Sequence, residues 1–245
     1  MMKRPYRNIG FFFLLLLVLV IAGFTPRVPD MPFFGYFSQL ARSGHAQIPL
    51  VIHLHALGAV AWFVLLCTQA FLIRANRTRL HRLLGKASVL VVALFLLTAL
   101  QVMKHFYAKA VVELPRDAVL SLLAQSFTAL FLFTLFYVIA LLRRRHLHQH
   151  VAFMVGASLA AATPGLARLG LYVIGGLPGI LAVVALIYAT LAGFLLYTKI
   201  RLQQPVLRSP YLPIMTLFLM AHAMDFVGSR SAAWLWVADK IVSAW

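Results

Sequence analysis

LVIHLHALGAVAWFVLLCTQAFLI, residues 50–73, runs directly into RANRTRLHRLLGK, residues 74–86. The first stretch has the ~20 predominantly apolar residues that an α-helix needs to cross the bilayer hydrocarbon. The second carries Arg74, Arg77, Arg79, Arg82 and Lys86 and no acid. The alternation repeats along the chain. By length and apolarity, spans are expected at about 9–24, 50–73, 87–106, 117–142, 151–173, 179–198 and 211–227. Every second connection is basic: Lys3, Arg4 and Arg7, then residues 74–86, then Arg143, Arg144 and Arg145, then Lys199, Arg201 and Arg208. The other connections and span ends hold Asp30, Glu113, Asp117 and Asp225 with fewer cations. The positive-inside rule turns the basic side and the N-terminus toward the cytoplasm. The expectation is an all-α, polytopic transmembrane helix bundle of about seven spans, forming one membrane domain over residues 1–245.

Composition points the same way. The chain is 63% hydrophobic and 11% charged, with a mean hydropathy of +0.93, more apolar surface than one soluble core can enclose. The net charge of +17 sits in short loops beside apolar spans. Membrane lipids with anionic headgroups are therefore the expected counter-charge, and nucleic acid is not an expected partner. One cysteine, Cys67, excludes an internal disulfide and a cysteine-based metal cage. Lys3 to Arg7 and the apolar run after them also fit a signal peptide. That run continues into Phe24-Thr25-Pro26 without an Ala-x-Ala site, which favours an uncleaved first helix.

Residues 231–245 are too short to span comfortably. With Trp234, Trp236 and Trp245 around Asp239 and Lys240, they read as an interfacial amphipathic helix, the alternative being an eighth short span. The long loop over 25–49 contains Met31-Pro32-Phe33-Phe34-Gly35-Tyr36-Phe37, aromatic enough to rest on the outer leaflet. Gly175-Gly176-Leu177-Pro178-Gly179 is an uncharged break between two spans.

Of nine histidines, eight sort into two layers by expected depth. His53, His55, His105 and His222 belong near one face, and His81, His146, His148 and His150 near the other. Two layers suit haem b, held in each case by imidazoles from two helices whose second ring nitrogen is hydrogen-bonded. His81 with His150 (or His148) makes a chemically sound inner pair, with Gly85 to admit the macrocycle and Arg82 and Lys86 to meet propionates. The outer pair would join His55 or His53 to His222 or His105. His53 and His55 point roughly 200° apart on a helix, so only one can face a given ligand. For His45, His105 and His146 the plainer reading is a solvated or capping side chain, and His81 also lies in a basic loop. His55 and His222 fall inside apolar spans, where polar groups are costly and functional roles are the default expectation. Even there, a bond between helices would account for them. Non-haem metal ranks below haem for want of carboxylates and thiolates.

Other intramembrane polar residues suggest a structural network. Arg168 follows Thr163-Pro164-Gly165 and needs a partner in the membrane, for which Asp225 is the expected candidate. A quinone carbonyl, a propionate or a lipid phosphate is the sharper alternative. Trp62 and Gln69 lie seven apart and share a helix face, and Gln69 is placed to bond across helices or to a quinone.

His55-x6-Trp62-x6-Gln69 followed by Arg79-Leu80-His81-Arg82-Leu83-Leu84-Gly85 resembles the signature of a large uncharacterised group of bacterial multi-pass membrane proteins. The resemblance extends over about residues 50–240, through Pro164, Arg168 and the tryptophan-bearing C-terminus. It implies a fold and a bacterial inner (cytoplasmic) membrane, and no activity. A weaker similarity is to cytochrome b561-like proteins, where histidines open successive helices around a basic loop. That similarity implies the His81–His150 pair. The fourth span has no histidine, which departs from the pattern and leaves the outer haem without its usual pair. The functional expectation is electron transfer from quinol through haem b. The competing expectation is a non-redox accessory protein that binds lipid, a partner subunit or a second copy through its His/Arg/Asp network. A transporter ranks third, for lack of repeats and paired broken helices, and no Ser/His/Asp or Glu pair supports a hydrolase.

Overall fold

The computed structural model describes residues 5–25, 36–37, 40 and 48–245. Lys3, Arg4, Asp30, His45 and residues 31–35 of the aromatic stretch lie outside them. The described elements are α1 (Ile9–Phe24), α2 (Leu50–Arg74), α3 (Thr78–Glu113), α4 (Arg116–Leu142), α5 (Leu147–Val173), α6 (Gly176–Arg201), α7 (Tyr211–Phe226) and α8 (Ala232–Ser243). Short 3₁₀ turns, Val206–Arg208 and Gly228–Arg230, flank α7. No strand occurs among the described residues.

This is an all-α, multi-pass membrane protein. Among the described residues six helices are long and apolar enough to cross a membrane: α2 to α6, and α7 taken with its following turn. The seventh expected span, α1, covers the expected residues but has 16 of them, a length of about 24 Å. α8 has 12 residues, about 18 Å, well short of a span.

Helix ends differ from the expected spans where polar residues keep helical backbone. α3 runs from Thr78 to Glu113, past 87–106 at both ends. Arg79, Arg82, Lys86, Lys104 and Lys109 are good helix formers, and a helix need not stop where the hydrocarbon does. α2 stops at a Schellman cap: Asn76 has φ +60°, its N–H bonds Ile73 O, and the Arg77 N–H bonds Leu72 O. α5 stops at Gly175, φ +87°, a left-handed position that glycine adopts without a Cβ penalty.

The chain divides into two compact units. The first contains residues 1–98 and 162–186, the second 99–161 and 187–245. In the first unit α1 lies along α2. It also meets α5 so closely that a Cβ on Gly23 would overlap the carbonyl of Gly165. In the second unit the fully buried Tyr211, Ile214, Phe218, Phe133 and Phe136 join α7 to α4. α8 folds back on the start of α4, where Ala238 and Val242 pack with Leu120, Leu123 and Met103. The Trp234 Nε1–H donates to Leu120 O at 2.8 Å, and Arg116 pairs with Asp239.

Candidate functional site

Five histidines, His53, His55, His81, His150 and His222, are held by their Nδ1 atoms. His150, in the first turns of α5, has Nδ1 at 2.8 Å from Ala140 O. That carbonyl belongs to the last turn of α4, where the N–H of Arg144 bonds Leu141 O instead, so the imidazole serves an end-of-helix acceptor. His81 has Nδ1 at 3.3 Å from Gln69 O. A carbonyl oxygen only accepts, so both rings carry a proton on Nδ1, which in the neutral imidazole leaves the lone pair on Nε2.

His55 reaches the same tautomer by another route. Its Nδ1 lies 3.3 Å from Thr98 Oγ1, and the single Thr98 hydroxyl proton is directed to Leu94 O at 2.7 Å. With that proton so engaged, the Thr98 oxygen is open to accept the ring's Nδ1–H. Phe95 stacks on the ring at 5.0 Å with planes 16° apart. His222 sits with Nδ1 3.0 Å from the Tyr188 hydroxyl, flanked by the Tyr188 and Phe218 rings. His53 turns instead to Tyr36, with Nδ1 2.8 Å from its hydroxyl. The divergence expected of His53 and His55 thus appears as two separate sets of neighbours.

Within the first unit, the Gln69–His81–Gly85 part of the sequence pattern comes together. His81 bonds the Gln69 carbonyl, and Gly85 leaves room beside Gln69 Nε2, which would lie 3.4 Å from a Cβ there. Gln69 Oε1 is buried with no hydrogen-bond partner among the described residues. Trp62, two turns away on α2, is 1% exposed. Arg82 and Lys86 are exposed beside His81.

No family model, curated protein or solved structure matches the chain. Its chemistry has to be read from its own side chains. Arg168 and Asp225 fall in different units, and each has partners in its own. Arg168 Nη1 donates to Pro164 O at 2.7 Å, and its guanidinium lies 4.4 Å over Phe24. Asp225 Oδ1 accepts from Thr128 Oγ1 at 2.7 Å. The expected haem pairs likewise draw one histidine from each unit: His55 and His81 from the first, His150 and His222 from the second. His146 is exposed. His105 is half-buried, and its Nε2 has no hydrogen-bond partner among the described residues. No three His, Cys, Asp or Glu side chains gather as a metal cluster among the described residues.

Sequence reasoning found the histidines and missed what holds them. Thr98, Thr128, Tyr188 and the carbonyls of Gln69 and Ala140 belong to ordinary residues on apolar helices, and Tyr36 to the segment between α1 and α2. Their roles rest on pairings 10 to 97 residues apart in the chain, and no local pattern announces such pairings.

Proposed function

We propose that this protein binds haem b in the membrane through His81, His150, His55 and His222 and carries electrons from quinol to an acceptor. The observation that supports the reading is the common tautomer of His55, His81 and His150. A neutral imidazole with Nδ1–H engaged and the lone pair on Nε2 is the donor that an axial haem position requires. Bound there, haem b supplies a one-electron carrier. The residues do the rest: Gln69 O, Ala140 O and Thr98 Oγ1 orient the rings, and Arg82 and Lys86 offer charge to propionates. Gln69 Oε1 is the acceptor we assign to a quinol hydroxyl. In this reading the basic loops and the N-terminus face the cytoplasm of a bacterial cell.

The test is a reduced-minus-oxidised visible spectrum of the purified chain, with a pyridine haemochrome assay for stoichiometry. A sharp α-band that disappears in His81→Asn and His150→Asn is the expected result. Asparagine places an amide N–H where Nδ1 was, so it keeps the carbonyl bond and removes only Nε2. A featureless spectrum after expression with ample haem sinks the proposal. The second reading then stands, a non-redox protein binding a partner or lipid. It is favoured by the closed local contacts of Arg168 with Pro164 O and Phe24 and of Asp225 with Thr128.

A further inference from the structure

An open groove of about 480 Å³ runs along α2 beside α1 in the first unit. Val64, Cys67, Thr68, Phe71 and Ala75 form its floor, at helical spacing along one face of α2, and Leu17 of α1 forms a wall. Thr68 donates its hydroxyl proton to Val64 O at 2.8 Å, so this polar side chain also turns an apolar surface to the groove. From Val64 to Ala75 the floor is about 16 Å long, roughly half the ~30 Å hydrocarbon thickness. One leaflet's acyl chain fits that length.

The groove ends in positive charge. Ala75 is flanked by the exposed Arg74 and Arg77. Arg74 is held at this end by Asn8, whose Oδ1 accepts from Nη1 at 3.2 Å, and by the Phe11 ring, 5.1 Å below its guanidinium. Among the described residues of the unit there is no Asp or Glu beside Arg7, Arg74 and Arg77. We infer that the α1–α2 groove is a binding site for one anionic diacyl phospholipid, its acyl chain against Cys67, Thr68 and Phe71 and its phosphate on Arg74 and Arg77. This site is independent of haem binding.

The test titrates the delipidated full chain, by native mass spectrometry, with phosphatidylglycerol and with phosphatidylcholine of the same acyl chains. Phosphatidylglycerol is expected to bind one site about tenfold or more tightly than phosphatidylcholine, two arginines contributing the difference. Arg74→Gln with Arg77→Gln should erase the preference, and Thr68→Trp should block both lipids by filling the groove. Equal binding of the two lipids, a preference that survives the arginine changes, or displacement by glycerol phosphate alone would overturn the inference. Should a variant fail to fold, the unaltered chain still decides. Its binding of phosphatidylglycerol and phosphatidylcholine is compared directly, and equal affinities reject the site.

Discussion

His150 shows how one side chain can hold a helix end and still offer a ligand atom. Its Nδ1–H serves Ala140 O, and the Nε2 lone pair points the chemistry elsewhere. His150→Ala should lose about 0.5–1.5 kcal/mol of stability with that bond, whereas His150→Asn should keep most of it while losing any haem absorbance. Thermal unfolding in detergent, followed beside the visible spectrum, separates the two effects. Asp225 poses a related question. As the acceptor for Thr128 Oγ1 it needs an oxygen more than a charge, because an intramembrane carboxylate is costly to keep ionised. Asp225→Asn is expected to stay within about 0.5 kcal/mol of the parent, and Asp225→Leu to lose the bond at about 0.5–1.5 kcal/mol, the Thr128 hydroxyl turning to Gln125 O at 3.1 Å. Denaturation by a graded mixture of harsh and mild detergent checks the order. Histidines and acids in apolar runs stand out in a sequence; the threonine or carbonyl that meets each one does not.

Helix ends in this chain follow local chemistry more than membrane thickness. α2 ends where Asn76 adopts φ +60° and closes a Schellman cap, and the basic residues after it start α3 at once. Glycine takes that conformation more easily than any other residue, and a β-branched side chain takes it poorly. Asn76→Gly should therefore leave stability within a few tenths of a kcal/mol, or raise it. Asn76→Val should lower it by about 1–2 kcal/mol, both read from the unfolding midpoint. The expected α1 and the observed Ile9–Phe24 coincide because the apolar run is bounded by Asn8 on one side and Thr25-Pro26 on the other. α3 outran its expected 87–106 because hydropathy marks where lipid begins and says nothing of where hydrogen bonding stops. α8 was legible as a short tryptophan-rich helix. Its seating on α4, through Trp234, Asp239 and Val242, depended on partners more than 100 residues away.

Across the whole molecule, the charge pattern predicts sidedness. With Cys67→Ser as background, cysteines placed at Asn76 and Arg145 should be labelled by an impermeant maleimide from one side of the membrane. Cysteines at Glu113 and Gly175 should be labelled from the other. Labelling of Asn76 and Glu113 positions from the same side would break the alternating topology. The apolar runs, their spacing and the Gly, Pro and Asn punctuation were enough to determine that this chain is all-helical and built to cross a membrane repeatedly. A helix satisfies its own backbone within the span, so local sequence carries that information. Which carbonyl orients which histidine, what Asp225 and Arg168 touch, and where α1 leaves a groove beside Cys67 were decided only by tertiary packing. Those contacts join residues far apart in the chain, through side chains whose partners depend on which faces of the helices meet.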